Sequence, residues 1–327
     1  MTLGRRKFLQ TSLVALLGAR TVAAQPASAV RRVGILASST QESFEPNVQV
    51  FRENMERLGW VEGRNLALET RYASEYQQLA TFAAELVRLK VDVIFAMAAP
   101  AIQAAKRATS TIPIVIETLG DAVSAGLVSN LARPGGNVTG VSGFAPQLSS
   151  KRLGLIRELL PTVSRVALLV NRTNPATAVV VRTTQAAADE MRMHLVVADV
   201  PRPAALEDAF ASVVRERCQA FVLAADPMLH SQRRRIVELA ARHRVPGVYE
   251  YQDFADSGGL LSYGPDHAER FQKATAYVDR ILRGAKPGEL PVEQPSTFLL
   301  VLNLKTAASL GLAIPESVRL RAQRVLE

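Results

Sequence analysis

A chain of 327 residues passes the size, roughly 250 to 300 residues, at which a single hydrophobic core usually stops growing, so two lobes or domains are expected. Its 48% hydrophobic and 21% charged residues exclude a disordered, collagen-like or low-complexity polymer, and its single cysteine, Cys218, excludes an internal disulfide framework and a cysteine-rich zinc site. The net charge of +9 falls to +5 once Arg5, Arg6, Lys7 and Arg20 of residues 1–24 are set aside.

The chain opens on the basic group Arg5-Arg6-Lys7, continues through an apolar run from Ser12 to Gly18 and reaches the small residues Val22-Ala23-Ala24. That order reads as an export signal, because the apolar run is far shorter than the roughly 20 residues a membrane span needs. Arg5-Arg6 followed by Phe8-Leu9 resembles a twin-arginine signal, although Gly4 stands where a hydroxyl residue is usual. Cleavage after Ala24 and cleavage near Ala27-Ser28-Ala29 are both compatible with the sequence, and no cysteine lies near either point to carry a lipid. A soluble periplasmic chain is the expectation.

From Arg32 onward short β-rich runs alternate with helical periodicity. Strands are expected at Arg32 to Ala37, Leu66 to Tyr72, Val91 to Ala96, Ile114 to Thr118 and Val138 to Val141, with helices at Asn47 to Leu58, Leu79 to Leu89 and Ala101 to Ala108. After the Pro134-Gly135-Gly136 turn a second series begins, with strands Arg165 to Val170, His194 to Val200, Ala220 to Ala225 and Val248 to Tyr249. Its helices are Ser149 to Leu160, Ala176 to Met193, Ala204 to Arg215 and Ser231 to His243. The tail adds strands Leu260 to Tyr263 and Thr297 to Asn303 and helices Asp266 to Arg283 and Glu316 to Leu326. The pattern implies an α/β chain with two parallel sheets, each covered by helices on both faces: lobe 1 over 31–145, lobe 2 over 146–250, and a segment 251–327 that crosses back and completes both.

Open α/β sheets bind ligands beyond the carboxyl ends of their strands, so candidate residues are taken from the loops there. The first lobe offers Ser38, Ser39, Ala98, Ala99, Thr118, Gly120 and Asp121; the second offers Asn171, Asn174, Asp226, Tyr249 and Glu250. Small residues such as Ala98 and Ala99 let an anionic group approach backbone N–H groups at a helix start. Two readings stand for the acids: Glu250 pairs with a ligand ammonium or is solvated, and Asp226 binds ligand or caps the helix after Pro227. Tyr249 and its neighbour Tyr251 are likewise open between packing and binding.

Chemistry has no obvious carrier. The first strand is not followed by Gly-x-Gly-x-x-Gly, no Gly-Lys-Ser/Thr loop occurs, and His194, His230, His243 and His267 lack the paired spacing of a zinc helix. Ser142 lacks the spacing of a nucleophile elbow, and Cys218 reads as a buried small residue. The bases are scattered apart from Arg233-Arg234-Arg235, with no interleaved aromatics, so no nucleic-acid partner, no metal, no cofactor and no catalytic residue are expected.

Leu58-Gly59-Trp60-Val61-Glu62-Gly63-Arg64-Asn65-Leu66, Leu131-Ala132-Arg133-Pro134-Gly135-Gly136-Asn137-Val138-Thr139-Gly140 and Gly258-Gly259-Leu260-Leu261-Ser262-Tyr263-Gly264-Pro265 are among segments spread over nearly the whole mature chain. Together they resemble the substrate-binding proteins of ABC importers with the type I periplasmic-binding fold, in the branch related to tryptophan and tyrosine uptake components. The resemblance implies a two-lobed receptor that closes on a small molecule, an amino acid and aromatic ones included. It would present that ligand to a permease with its ATPase in the inner membrane. Hinges are then expected near Ser142 to Ser149, Glu250 to Gly258 and Lys286 to Pro295, with the twelve residues above facing one another across the cleft. The departure from the family is Val248-Tyr249-Glu250-Tyr251, which puts an acid where many relatives carry glycine. The same lobes could instead report a ligand to a membrane sensor.

Overall fold

A computed structural model describes residues 30–117, 120–143 and 145–327. The expected export signal and Thr118 lie outside the described residues.

The first lobe is built on a five-stranded sheet of order β2-β1-β3-β4-β5, parallel throughout, from β1 (Arg31–Ala37), β2 (Leu66–Tyr72), β3 (Val93–Met97), β4 (Ile114–Glu117) and β5 (Val138–Val141). Its crossovers are α1 (Gln41–Arg57), α2 (Gln78–Arg88) and α3 (Ala98–Ala108). In α1 the buried Phe44, Val48, Phe51 and Met55 recur at three- and four-residue spacing and pack on the sheet, while Thr40 caps the start by accepting from the Ser43 N–H. The helix begins six residues before the predicted Asn47: Pro46 sits near the start, where its missing N–H removes a single internal bond.

The second lobe carries a seven-stranded sheet of order β12-β11-β10-β9-β8-β6-β7. Its elements in chain order are α4 (Ala145–Leu159), β6 (Arg165–Val170), α5 (Thr177–Glu190), β7 (His194–Asp199), α6 (Leu206–Arg215), β8 (Ala220–Leu223), α7 (Pro227–Ser231), α8 (Arg233–His243), β9 (Gly247–Tyr249), α9 (Gln252–Asp256) and β10 (Leu261–Pro265). There follow α10 (His267–Leu282), β11 (Phe298–Asn303), α11 (Leu304–Leu310), α12 (Glu316–Arg321) and β12 (Arg324–Leu326). One expectation is corrected here: this sheet is not purely parallel, because β11 runs antiparallel to β10, from Leu261 opposite Leu302 to Pro265 opposite Phe298. The predicted terminal helix also ends early, at Arg321, since Arg324–Leu326 pair with Val301–Asn303 as an edge strand.

Helix α10 leaves the second sheet and returns to the first, where Phe271, Ala274, Tyr277, Val278 and Ile281 join the core between α1 and the strands. The chain therefore crosses between lobes after β5, between β10 and α10, and between α10 and β11. The middle crossing falls at Pro265-Asp266 and not near Glu250 to Gly258, because α9 buries Phe254 in the second lobe beside Tyr249.

Candidate functional site

The carboxyl ends of β1, β3 and β4 face those of β6, β8 and β9, and the residues that follow them wall the space between the lobes. A cavity of about 250 Å³ is lined from the first lobe by Ser39, Phe44, Met97, Glu117 and Arg270, and from the second by His230, Tyr251 and Asp253. A smaller one of about 50 Å³ adjoins it through Ala98, Pro227 and Tyr251, and reaches Gly120, Arg152, Asn174 and Glu250.

Each cavity holds a buried Arg–Glu pair. Arg270 Nη1 donates to Glu117 Oε1 in the larger, and Arg152 Nη2 lies 3.1 Å from Glu250 Oε1 in the smaller. Arg152 Nε also donates to the Tyr263 carbonyl at 2.9 Å, which pins its side chain. The hydrogen-bonding of these groups is incomplete. Arg270 Nε and Ser39 Oγ are buried at the larger cavity with no hydrogen-bond partner, and Arg152 Nη2, close to Glu250 but outside hydrogen-bond geometry, is in the same condition at the smaller. Buried polar atoms nearly always find partners; among the described residues five buried side-chain atoms lack one, these three on cavity-lining residues and, away from both cavities, Arg157 Nε and Ser262 Oγ.

The lobes touch through Asp226. Tyr76, in the loop between β2 and α2, donates its hydroxyl to Asp226 Oδ2 at 2.8 Å, and Asn171 Nδ2 and Asn174 Nδ2 donate to the same oxygen at 3.2 and 2.9 Å. The Leu229 N–H donates to Oδ1 at 2.9 Å, the N-cap of α7. Burial raises the Asp226 pKa above the usual carboxylate value despite these donors, and burial followed by the Asp226 charge raises that of Tyr76. Nearby, His230 Nε2 meets Asp253 Oδ2 at 2.5 Å; burial works against the charged Asp253, but the hydrogen bond and charge of His230 outweigh it and hold the carboxyl below its usual value. His267 is half-buried and donates Nε2–H to Asn47 Oδ1 at 3.0 Å; desolvation, then the charge of Arg270, push its pKa down to about 4, so the ring is neutral near pH 7. Among the described residues no group of His, Cys, Asp and Glu is placed to hold a metal ion.

The sequence pattern of the ABC transporter substrate binding protein family matches residues 32–326. The chain belongs to this family. A substrate-binding protein binds its solute without making or breaking bonds, and this one is not an enzyme. It is 27% identical to a conserved domain protein from Vibrio cholerae, whose crystal structure superposes with a TM-score of 0.85 over 90% of this chain and 99% of that one. The ABC domain from Streptococcus pneumonia, solved in complex with L-Trp, is 25% identical with a TM-score of 0.84, covering 91% of this chain and all of the other. A tyrosine-binding protein from Clostridioides difficile is 24% identical over 283 residues, 86% of this chain and 81% of that protein.

In this substrate-binding protein the predicted site residues divide into three groups. Ser38, Ser39 and Ala98 line the larger cavity, while Ala98, Ala99, Gly120, Asn174 and Glu250 line the smaller. Asn171 and Asp226 spend their side-chain polar atoms within the protein: Asp226 accepts from Tyr76, Asn171, Asn174 and Leu229, and Asn171 Oδ1 accepts from Thr173. Asp121 and Tyr249 line neither cavity: Asp121 caps the turn after it by accepting from the Val123 and Ser124 N–H groups, and Tyr249 stacks on Phe254 at 4.7 Å inside the second lobe. Sequence reasoning passed over Tyr76, Arg152 and Arg270. The two arginines had a signal: each lies on the buried stripe of its helix, Arg152 in step with Ser149, Leu153 and Ile156, and Arg270 with Phe271, Ala274 and Val278. A charge on a stripe that should be apolar needs a partner or a purpose.

Proposed function

We propose that this substrate-binding protein captures an amino acid between its lobes in the periplasm, with aromatic amino acids the first to test, and delivers it to a membrane permease driven by an ATPase. The supporting observation is the cavity of about 250 Å³ walled by both lobes, with Phe44, Met97 and Tyr251 as an apolar and aromatic lining beside the charged Arg270 and Glu117. A side chain with a ring would take the first set and a polar head group the second. The relatives named for tyrosine binding and solved with L-Trp favour the same ligand class. The order Arg5-Arg6, apolar run, Val22-Ala23-Ala24 favours export. Ser38, Ser39, Ala98, Ala99, Gly120, Asn174 and Glu250 are the ligand-facing residues we retain from the sequence.

The test is native mass spectrometry of the chain from Gln25 onward, purified without refolding, followed by melting curves against L-tryptophan, L-tyrosine, L-phenylalanine, aliphatic amino acids and aromatic acids. A ligand at a hundred times its Kd adds about 2.7 kcal/mol to stability, so a saturable rise in Tm for one class is expected. A well-folded chain that none of these compounds shifts would overturn the reading.

A further inference from the structure

The second lobe carries a groove of about 620 Å³ that shares no lining residue with the two cleft cavities and is bounded by α4, by β10 and β11, and by α12. Its floor is apolar. Leu155 and Leu300 are buried in it, and the half-buried rings of Tyr263 and Phe298 stack with their centroids 6.1 Å apart. Leu320 stands on the rim, 77% exposed, the barest large apolar side chain among the described residues. An open apolar surface edged by polar groups is the common mark of a binding site.

Gly154 points the same way. It lies in the interior of α4, where glycine weakens a helix relative to alanine unless a close approach requires it. Here no neighbour requires it, because a Cβ at Gly154 would meet nothing within 4 Å. With Ser150 one turn before it, the glycine keeps the α4 wall low and the groove wide. The charges then choose the occupant. Glu158, the carboxylate of the groove, already accepts from Arg321 Nη2 at 2.5 Å, so a cation finds no acid without a partner. Lys151 is exposed and, among the described residues, makes no ion pair or hydrogen bond; the hydroxyls of Ser150 and Tyr263 are likewise unengaged. The surplus is of donors and positive charge, beside rings and leucines. We infer that this groove is a second small-molecule site, outside the cleft, for a flat apolar ring system that carries an acid group: the ring lies against Tyr263, Phe298 and Leu320, and the acid pairs with Lys151. The inference does not depend on which solute the cleft takes.

Calorimetric titration of the folded chain with 1-naphthoate tests this, with 1-naphthylmethylamine as the same ring bearing a cation. The wild type is expected to bind 1-naphthoate at about 1 mM or tighter, the level a well-held ligand of that size reaches, and the amine roughly tenfold more weakly. Gly154→Leu fills the groove from a position with room for the side chain, and leucine favours a helix. The unliganded Tm is therefore expected to hold or rise while 1-naphthoate affinity falls roughly tenfold, an opposition of signs that a merely structural glycine would not produce. Lys151→Glu changes an exposed side chain and is expected to reverse the preference between acid and amine. Neither residue lines a cleft cavity, so ring binding in the cleft would survive both changes. No 1-naphthoate binding in the millimolar range, equal binding of the amine by the wild type, or an affinity for 1-naphthoate that both variants leave unchanged overturns the inference.

Discussion

At the scale of single residues, Tyr76 is the side chain that ties one lobe to the other. Its hydroxyl is one of three donors on Asp226 Oδ2 and the one that comes from the first lobe. Tyr76→Phe keeps the ring and removes that bond, so each lobe should fold as before while the form with lobes together loses part of its support. A hydrogen bond to a charged acceptor contributes about 1.5 to 3 kcal/mol, so ligand affinity should fall roughly tenfold or more by calorimetry with little change in the unliganded Tm. Unchanged affinity would remove Tyr76 from the closure mechanism. His267 carries a second prediction. Its folded pKa of about 4 lies below the unfolded value of about 6.5, so the unfolded chain binds more protons between those values and stability falls as pH drops through that window. The full effect is on the order of 3 kcal/mol and is absent above pH 6.5. His267→Gln retains a donor for Asn47 and should flatten the dependence of urea midpoints on pH between 6.5 and 4 relative to the wild type. Asp226, whose pKa is raised, pulls the other way above pH 3.8 in both proteins and cancels from the difference. A parallel pair of curves would show that His267 titrates normally.

At the scale of elements, the strands were legible where their pattern was strongest. Leu66–Tyr72, Val138–Val141 and Arg165–Val170 fall at their predicted limits because apolar and β-branched runs bounded by turns define them locally. The short α9 and α11 and the edge strand β12 were not legible, since each is seven residues or fewer and owes its form to neighbours: α9 to the pocket around Phe254, β12 to the free edge of β11. Strand ends pointed to the cleft and so to Ser39, Ala98 and Glu250, whereas Arg270 reaches it from a helix that the chain brings back from the far lobe, a placement no local pattern carries. Gly140 shows how tightly the first sheet is drawn at that point. It has φ +131°, and a Cβ there would stand 2.3 Å from the Ile116 carbonyl oxygen, backbone that cannot step aside. Gly140→Ala must part β4 from β5 beside Glu117, and a loss of about 3 kcal/mol or more is expected in chemical denaturation, with amino-acid affinity falling as well. A variant as stable as the wild type would mean that β5 can shift without strain.

At the scale of the whole molecule, the two sheets are joined by three strands of chain, after β5, at Pro265-Asp266 and before β11, while each sheet keeps its own helices on both faces. Such an arrangement bends at its connections before its cores deform, because packed interiors resist change and linkers absorb it. The Tyr76–Asp226 bond across the cleft and a ligand held in it then act on one equilibrium: the bond favours lobes together, and a ligand that touches both walls favours it further. The lone cysteine makes this measurable. Cys218 is buried, with its thiol pKa raised by desolvation, so Cys218→Ala leaves a chain onto which Glu42→Cys and Arg172→Cys, exposed positions beside the cleft in opposite lobes, can bring a dye pair. Single-molecule energy transfer should report a shorter separation when the bound amino acid saturates, and Tyr76→Phe should lengthen the mean separation without ligand while leaving the saturated value nearly unchanged. Binding detected by calorimetry with no change in transfer efficiency would mean that the ligand enters a cleft already fixed in width, and that Tyr76 is a strut rather than a latch.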